Sequence, residues 1–178
     1  MEERERIKEQ IRRAFASAQR PPNGALHGSI EGDEPLLIEE DFRDQHDWRG
    51  LDADFLDQAP KGFASALSFF SDDALRYFLP AYLIADLDDR LNRVDLASHL
   101  SLGFIDEAKI TAVNPRRYGT LTRFEAQQER FSNLRPEEAA AIVAYLEHKA
   151  VTDEFNRAEI LQALANYWRP VAQLGETT

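Results

Sequence analysis

The residues best suited to chemistry lie in one short stretch, "DFRDQHDW", at positions 41–48. It brings together three carboxylates and one imidazole: Asp41, Asp44, His46 and Asp47. Side chains of these types can hold a divalent metal ion or transfer a proton. On a helix, Asp44 would share a face with Asp41 and with Asp47. Two acids without a third fixed ligand do not form a metal site, so the favoured interpretation is an exposed acidic surface beside Trp48.

A second candidate is His99, which follows Asp95 by four residues. On one helix the carboxylate could orient the imidazole, although a local ion pair explains the same spacing. The chain has no glycine-rich phosphate loop, no H-E-x-x-H pair, no G-x-S-x-G motif and no calcium-loop spacing. We therefore expect no catalytic residue, no bound metal and no cofactor. A small metal-dependent or hydrolytic enzyme that uses His46 or His99 is the alternative.

Charge is distributed unevenly: the net charge of the 178 residues is −11, and residues 31–60 carry eleven acidic side chains but two basic ones. A field of one sign and this density repels nucleic acid and anionic lipid, and it attracts a basic protein. We therefore predict that the segment binds a basic protein partner. The residues predicted to bind this partner are Asp41, Asp44, His46, Asp47 and Trp48. A solvated surface that only keeps the protein soluble accounts for the same charges.

Cysteine is absent, which excludes disulfides, thiolate metal sites and a cysteine nucleophile and fits a reducing cytosol. The first residues, "MEERERIKEQIRR", lack the apolar core of a secretory signal. No stretch approaches the roughly 18 apolar residues that a membrane helix needs. We therefore expect a soluble, cytoplasmic protein that does not contact membranes.

The elements that position these residues are predicted from the apolar periodicity, which is helical through most of the chain. One face of the first segment carries Ile7, Ile11, Ala14 and Phe15. The spacing of Phe63, Ala66, Leu67 and Phe70 predicts a further core-facing turn. The stretch "RYFLPAYLIADL" is apolar on nearly every face and follows Ser71, a favourable N-cap. We predict a buried central helix over residues 71–87, with Pro80 as the cause of a kink or a break.

The fold is therefore predicted to be mainly α: a single-domain multi-helix bundle around this kinked central helix. The domain is expected to cover residues 1–170, and residues 171–178 are expected to form a loose tail after Pro170. Residues 109–113, "KITAV", are β-branched and could pair with "LLI" at 36–38 as a short two-stranded β ribbon. A long ordered loop is the alternative to the ribbon.

The run "LSFFSDDALRYFLPAYL", residues 67–83, resembles an uncharacterised bacterial family known only as a domain of unknown function. The shared pattern is LS-x-x-S-x-x-A-x-x-Y-x-LPAYL, with "WRGL" upstream and "RFSNLRPEEAAAIVAYLEHKA" and "YW" downstream. The resemblance covers most of the chain and implies a small intracellular bacterial protein. It implies no activity, cofactor or catalytic residue.

Three functions remain in contention. A non-enzymatic protein–protein interaction module, comparable to a small adaptor or immunity protein, is favoured because the charge asymmetry is the most prominent feature. The second is the enzyme described above. The third is a structural homo-oligomer, in which spare apolar surface from the first or last helix closes a two-fold interface.

Overall fold

The computed structural model describes residues 2–29, 31–59 and 66–174. The protein is mainly helical, with 66% of the chain in helices, which confirms the predicted fold class. The chain divides into two compact units, Met1–Asp95 and Leu96–Thr178. That residues 1–170 fold as one domain stays a prediction. Within the described ranges, every helix is too short or too polar to cross a lipid bilayer.

The first unit is built from helices joined by turns and loops. Its described α-helices are α1 (Glu2–Ala14), α2 (Glu34–Phe42), α3 (Ala53–Gln58) and α4 (Asp72–Leu87). Two 3₁₀ turns, Trp48–Gly50 and Ala66–Ser68, precede α3 and α4. Phe63, part of the predicted turn before α4, lies outside the described residues, while Ala66, Leu67 and Phe70 are buried.

Helix α4 is the predicted central helix, and 11 of its 16 residues are buried. It begins after Ser71, whose hydroxyl accepts a 3.2 Å hydrogen bond from the Ala74 backbone N–H, as expected of an N-cap. The helix continues through Pro80 without a break, and the kink stays a prediction. Burial on many sides offsets the cost of an interior proline, about 3 kcal/mol.

Helix α1 packs on α4 through apolar and charged contacts. Ile7 and Ile11 are buried, as the periodicity predicts. Lys8 reaches the C-terminal end of α4, where its Nζ lies 2.6 Å from Asp88 Oδ1. Hydrogen bonds to Asp88 and to Glu5 raise the pKa of Lys8, so this buried ammonium group keeps its charge.

Three phenylalanines link α2 to α4. Phe42, the last residue of α2, meets the ring of Phe70 edge-on at a centroid distance of 4.8 Å. Its ring lies 4.9 Å from that of Phe78, on α4. Edge-to-face contacts of this kind contribute about 0.5–1.5 kcal/mol beyond the burial of area. They hold the end of α2, where residues 41–48 begin, against α4.

The predicted β ribbon is not seen, because residues 36–38 lie inside α2. Pro35 occupies the first turn, and Ile38 and Phe42 face the core, so a helical buried face overrides the strand propensity of three apolar residues. Residues 109–113 contain the end of a 3₁₀ turn and one isolated bridge, between Ala112 and Thr122. This region is therefore closer to the ordered-loop alternative.

The second unit is also helical. Its described α-helices are α5 (Leu96–Ser101), α6 (Pro115–Tyr118), α7 (Arg123–Arg130), α8 (Pro136–Thr152), α9 (Arg157–Ala163) and α10 (Arg169–Gln173). Turns of 3₁₀ helix occupy Leu102–Phe104 and Asp106–Lys109. A π-helical stretch, Leu164–Trp168, joins α9 to α10.

Aromatic rings form the core of the second unit around this π-helical stretch. Phe104 stacks on Tyr167 at 3.9 Å between ring centroids, and Trp168 meets Phe131 edge-on at 5.1 Å. The Trp168 indole N–H donates a 2.9 Å hydrogen bond to the carbonyl of Leu100. These contacts hold the π-helical stretch, α5, the end of α7 and the Leu102–Phe104 turn together.

The last helix extends beyond the predicted stop at Pro170. Proline lacks a backbone N–H, but it fits the first turn of a helix, and the widened π-helical stretch directly before it accommodates the missing hydrogen bond. Helix α10 therefore reaches Gln173, inside the segment predicted as a tail. Residues 175–178 lie outside the described part of the chain.

Candidate functional site

The stretch 41–48 does not form one helix. Asp41 belongs to the last turn of α2, which ends at Phe42, and Asp44 lies in the turn that follows. Asp47 begins the next element as the N-cap of a 3₁₀ turn, where its carboxylate accepts a 3.0 Å hydrogen bond from the Arg49 backbone N–H. The three aspartates thus occupy three different local structures, so a shared helical face does not arise.

Arg20 fixes the backbone between α2 and this 3₁₀ turn. Its guanidinium donates to the carbonyls of Phe42 and Arg43, each at 3.0 Å, and to that of Gln45 at 2.7 Å. The Nη2 that faces the Phe42 and Arg43 carbonyls also donates to Asn23 Oδ1, at 2.7 Å. Carbonyls at a helix C-terminus lack intrahelical partners, and the five donors of arginine can satisfy several of them at once. No sequence pattern pointed to Arg20.

The residues beside Trp48 are held from two sides. The backbone carbonyl of His46 accepts a hydrogen bond from Tyr77, on α4. The indole of Trp48 is 2% exposed, and the guanidinium of Arg49 lies 4.9 Å from the centre of its ring. A cation over an indole face contributes about 0.5–1 kcal/mol at exposed positions. The buried Trp48 side chain therefore holds this segment to the body of the first unit.

The five predicted partner-binding residues differ in accessibility. Asp44, His46 and Asp47 are exposed, Asp41 is half-buried, and Trp48 is buried. Asp47 is also engaged by the guanidinium of Arg49 at 3.1 Å. The residues that a partner could reach directly are therefore Asp44, His46 and Asp47.

The outer surface of α2 adds residues that the sequence analysis did not single out. Leu36 is 61% exposed. Asp33 and Glu40, three residues before it and four after it, are also exposed, and so is Asp44 in the turn that follows the helix. None of these three carboxylates has an ion pair with a residue that the structure describes. We call Asp33, Leu36, Glu40 and Asp44 the acidic α2 face. The burial of Pro35, Ile38 and Phe42 at helical spacing is the signal that places Leu36 outside.

Glu39 also lies on α2, but its carboxylate is used in hydrogen bonds within the fold. Its carboxylate accepts hydrogen bonds from the backbone N–H groups of Gly24 at 2.7 Å and Leu26 at 2.6 Å. Burial alone would raise the pKa of Glu39, but these donors and the neighbouring His27 outweigh it and lower the pKa. Glu39 thus holds the loop before α2 as a charged group, and it is not available to a partner.

The two histidines proposed for catalysis belong to different units. His46 is exposed, in the first unit. His99 lies on α5 of the second unit, and its Nε2 atom is buried without a hydrogen-bond partner among the described residues. Burial, aided by the charge of Arg130, lowers the pKa of His99 to about 4. A search of the described residues for three or more clustered histidine or carboxylate ligands finds no such group.

Comparison with known proteins is consistent with the sequence resemblance. No curated protein and no solved structure matches the chain. A family model described as a family of unknown function (DUF6714) matches residues 3–172, nearly the whole chain. The central sequence pattern and the bacterial origin stay predictions. The chain therefore belongs to this family of unknown function, DUF6714.

Proposed function

We propose that the protein is a non-enzymatic protein–protein interaction module that binds a basic partner through its acidic segment. The observation that carries this proposal is the acidic α2 face, where an exposed leucine and three exposed carboxylates follow one another along α2 and the turn after it, and the carboxylates lack ion pairs within the described part of the chain. Some exposed carboxylates elsewhere in the unit, among them those of Glu9 and Asp89, face arginines. Charges left unneutralised are available to steer a cationic protein.

The proposed interface combines charge with one apolar anchor. Carboxylates at the rim of an interface mainly increase the association rate and select the partner. Leu36 supplies apolar area that a partner can cover, at roughly 25 cal/mol per Å² buried. Asp41 in the last turn of α2, and His46 and Asp47 beyond its end, extend the surface, with Trp48 as its support. The partner is expected to be a basic protein, and the proposal is for a cytoplasmic bacterial adaptor or immunity-like protein.

The test compares affinity purifications from the native host with wild type and with a variant that carries Asp33→Asn, Glu40→Gln and Asp44→Asn. Asp47 and Asp41 are left unchanged, because Asp47 caps a turn and Asp41 is half-buried. A matched control carries Glu2→Gln, Glu3→Gln and Glu154→Gln, which remove the same charge at exposed positions elsewhere.

We expect a basic protein to be retained by wild type and by the control, to be lost from the acidic-face variant, and to dissociate as salt is raised. Leu36→Ser should weaken retention without changing its salt dependence. Equal retention by both triple variants would contradict the proposal. A dimeric mass by light scattering, unchanged in the acidic-face variant, would instead support the homo-oligomer, whose predicted interface is apolar surface of the first or last helix.

A further inference from the structure

A small cavity of about 180 Å³ lies in the first unit, between α1, α4 and the turn that begins at Trp48. Its lining combines apolar side chains, which we call the apolar wall, with guanidinium groups. The side chains that define its chemistry are Arg12, Trp48, Arg49, Ala81, Ile84 and Arg90. Because α1, the turn and α4 with the residues after it are separate in sequence, folding brings these groups together from three segments of the chain.

The cavity is a local concentration of positive charge in a chain of net charge −11. Three arginines line it, against a single carboxylate, that of Asp88. Asp88 is already engaged by Lys8, whose Nζ lies 2.6 Å from Oδ1. Its negative charge is therefore compensated from outside the cavity, and the charge of the lining residues taken by themselves is positive. The arginines also have carboxylates outside the lining near them, Glu9, Asp47, Asp52 and Asp54.

Two of the arginines, Arg12 and Arg90, make only long contacts with neighbouring carboxylates. Arg12 Nη1 lies 3.8 Å from the carboxylate of Glu9, and Arg90 Nη2 lies 3.5 Å from that of Asp52 and 3.6 Å from that of Asp54. Charge-assisted N–H···O bonds are normally about 2.7–2.9 Å long, so these long contacts leave the guanidiniums largely open to a better acceptor.

Arg49 has a different role, since it is held in place. It donates to the Ala16 carbonyl at 3.3 Å and to Asp47 at 3.1 Å, and it lies over the ring of Trp48. A fixed guanidinium beside an indole provides a preformed surface for a flat, charged group. Ala81 and Ile84 continue the apolar wall along α4.

We propose that this cavity binds a small organic anion, a carboxylate with a short apolar body. The carboxylate would accept from Arg12 and Arg90, and the apolar body would lie against Trp48 and Ile84. The size fits, because an apolar protein cavity of roughly 150 Å³ accommodates benzene. This site is independent of the acidic α2 face, and it selects ligands of the opposite charge from the proposed basic partner.

The test is a titration of the full chain with sodium benzoate, followed by nitrogen–proton correlation NMR. The chain contains two tryptophans, and each gives one assignable indole N–H signal. Trp48 lines the cavity, whereas Trp168 lies in the second unit and donates to Leu100. Benzoate should shift the Trp48 signal saturably and leave the Trp168 signal unchanged. Benzamide, the neutral molecule of the same shape, should cause at most a weak shift.

Substitutions of the arginines test whether they bind the carboxylate. Arg12→Gln combined with Arg90→Gln should raise the Kd for benzoate by about tenfold or more, since two charge-assisted hydrogen bonds are lost. Arg13→Gln is the matched control, because Arg13 neighbours Arg12 on α1 but does not line the cavity. It should change the Kd less than about twofold. If the double variant fails to fold, Arg90→Gln alone provides the comparison with Arg13→Gln.

Three results would overturn the proposal. The first is a benzoate titration that leaves the Trp48 signal unchanged or shifts both indole signals alike. The second is equal affinity of the Arg12/Arg90 variant and the Arg13 control. The third is binding of inorganic sulfate as tight as that of benzoate, which would show that the apolar wall contributes nothing.

Discussion

The hydroxyl of Tyr77 donates a 2.7 Å hydrogen bond to the backbone carbonyl of His46. The two residues are 31 positions apart, and the bond ties the buried helix α4 to the backbone beside the acidic segment. Tyr82, one turn further along α4, also has a buried hydroxyl, but that group has no partner among the described residues. One helix thus carries a satisfied and an unsatisfied tyrosine.

Replacing each tyrosine by phenylalanine should give different results. Tyr77→Phe leaves the carbonyl of His46 without its donor, so we expect the free energy of unfolding to fall by about 1 kcal/mol. Tyr82→Phe removes a buried group that pays for desolvation without a hydrogen bond, so stability should be unchanged or higher. Urea denaturation of both variants measures this difference. Equal losses in the two variants would show that the Tyr77 hydrogen bond does not contribute to the free energy of unfolding.

Arg20 should not be replaceable by lysine. An ammonium group has no planar fork and cannot reach the carbonyls of Phe42, Arg43 and Gln45 together. Arg20→Lys should therefore lower the free energy of unfolding by about 1–2 kcal/mol, measured by urea denaturation. The control is Arg43→Lys, at an exposed position, which should change stability by less than about 0.5 kcal/mol. Similar losses in the two variants would contradict this role.

Asp57 should support stability as a charged group. Its Oδ1 accepts from the backbone N–H groups of Asn92, Arg93 and Val94, at 3.0, 2.7 and 3.2 Å. Burial alone would raise the pKa of Asp57, but these three donors lower it overall. Asp57→Asn should reduce the free energy of unfolding at pH 7 by about 1–3 kcal/mol.

The pH dependence of the Asp57 effect has a definite sign. Because the folded-state pKa lies below the unfolded one of about 3.9, the contribution is complete above that value and is lost as the pH falls towards the folded-state pKa. Below about pH 4 wild type should therefore lose stability more steeply than Asp57→Asn in acid unfolding curves. Parallel curves would show that the hydrogen bonds from residues 92–94 do not stabilise the charged form of Asp57.

His99 should destabilise the fold on mild acidification. Its pKa is lowered from 6.5 to about 4 by burial and by Arg130. The unfolded chain therefore takes up a proton at higher pH than the folded chain, and stability is lost as the pH falls from 6.5 towards 4. His99→Gln cannot take up this proton, so its stability should vary less between pH 6.5 and about 5, above the range of ordinary carboxylates. Equal slopes for the two proteins in that interval would contradict this origin.

The helical elements were predictable because their signals are local. Ser71 caps α4 as expected, and Ile7 and Ile11 are buried on α1, since helix periodicity and capping depend on residues only a few positions apart. The ribbon at residues 36–38 failed for a related reason. Three apolar residues fit a strand or a helix, and the contacts of Ile38 and Phe42 with the core decided for the helix.

The candidate sites depended more on tertiary structure. The sequence alone located an excess of carboxylates in residues 31–60, but it could not separate Glu39 and Asp57, which bind backbone N–H groups, from Glu40 and Asp44, which remain exposed. Hydrogen bonds to distant loops make that distinction, and no local pattern encodes them.

The chain's own sequence determined its mainly helical character, its buried α4 and its strong negative charge, because these follow from residue types and short-range spacing. Only the tertiary structure brought Arg12, Arg49 and Arg90 to one cavity beside Trp48. The physical reason is that packing α1 on α4 buries their apolar faces, and this burial carries distant cationic side chains to the same place.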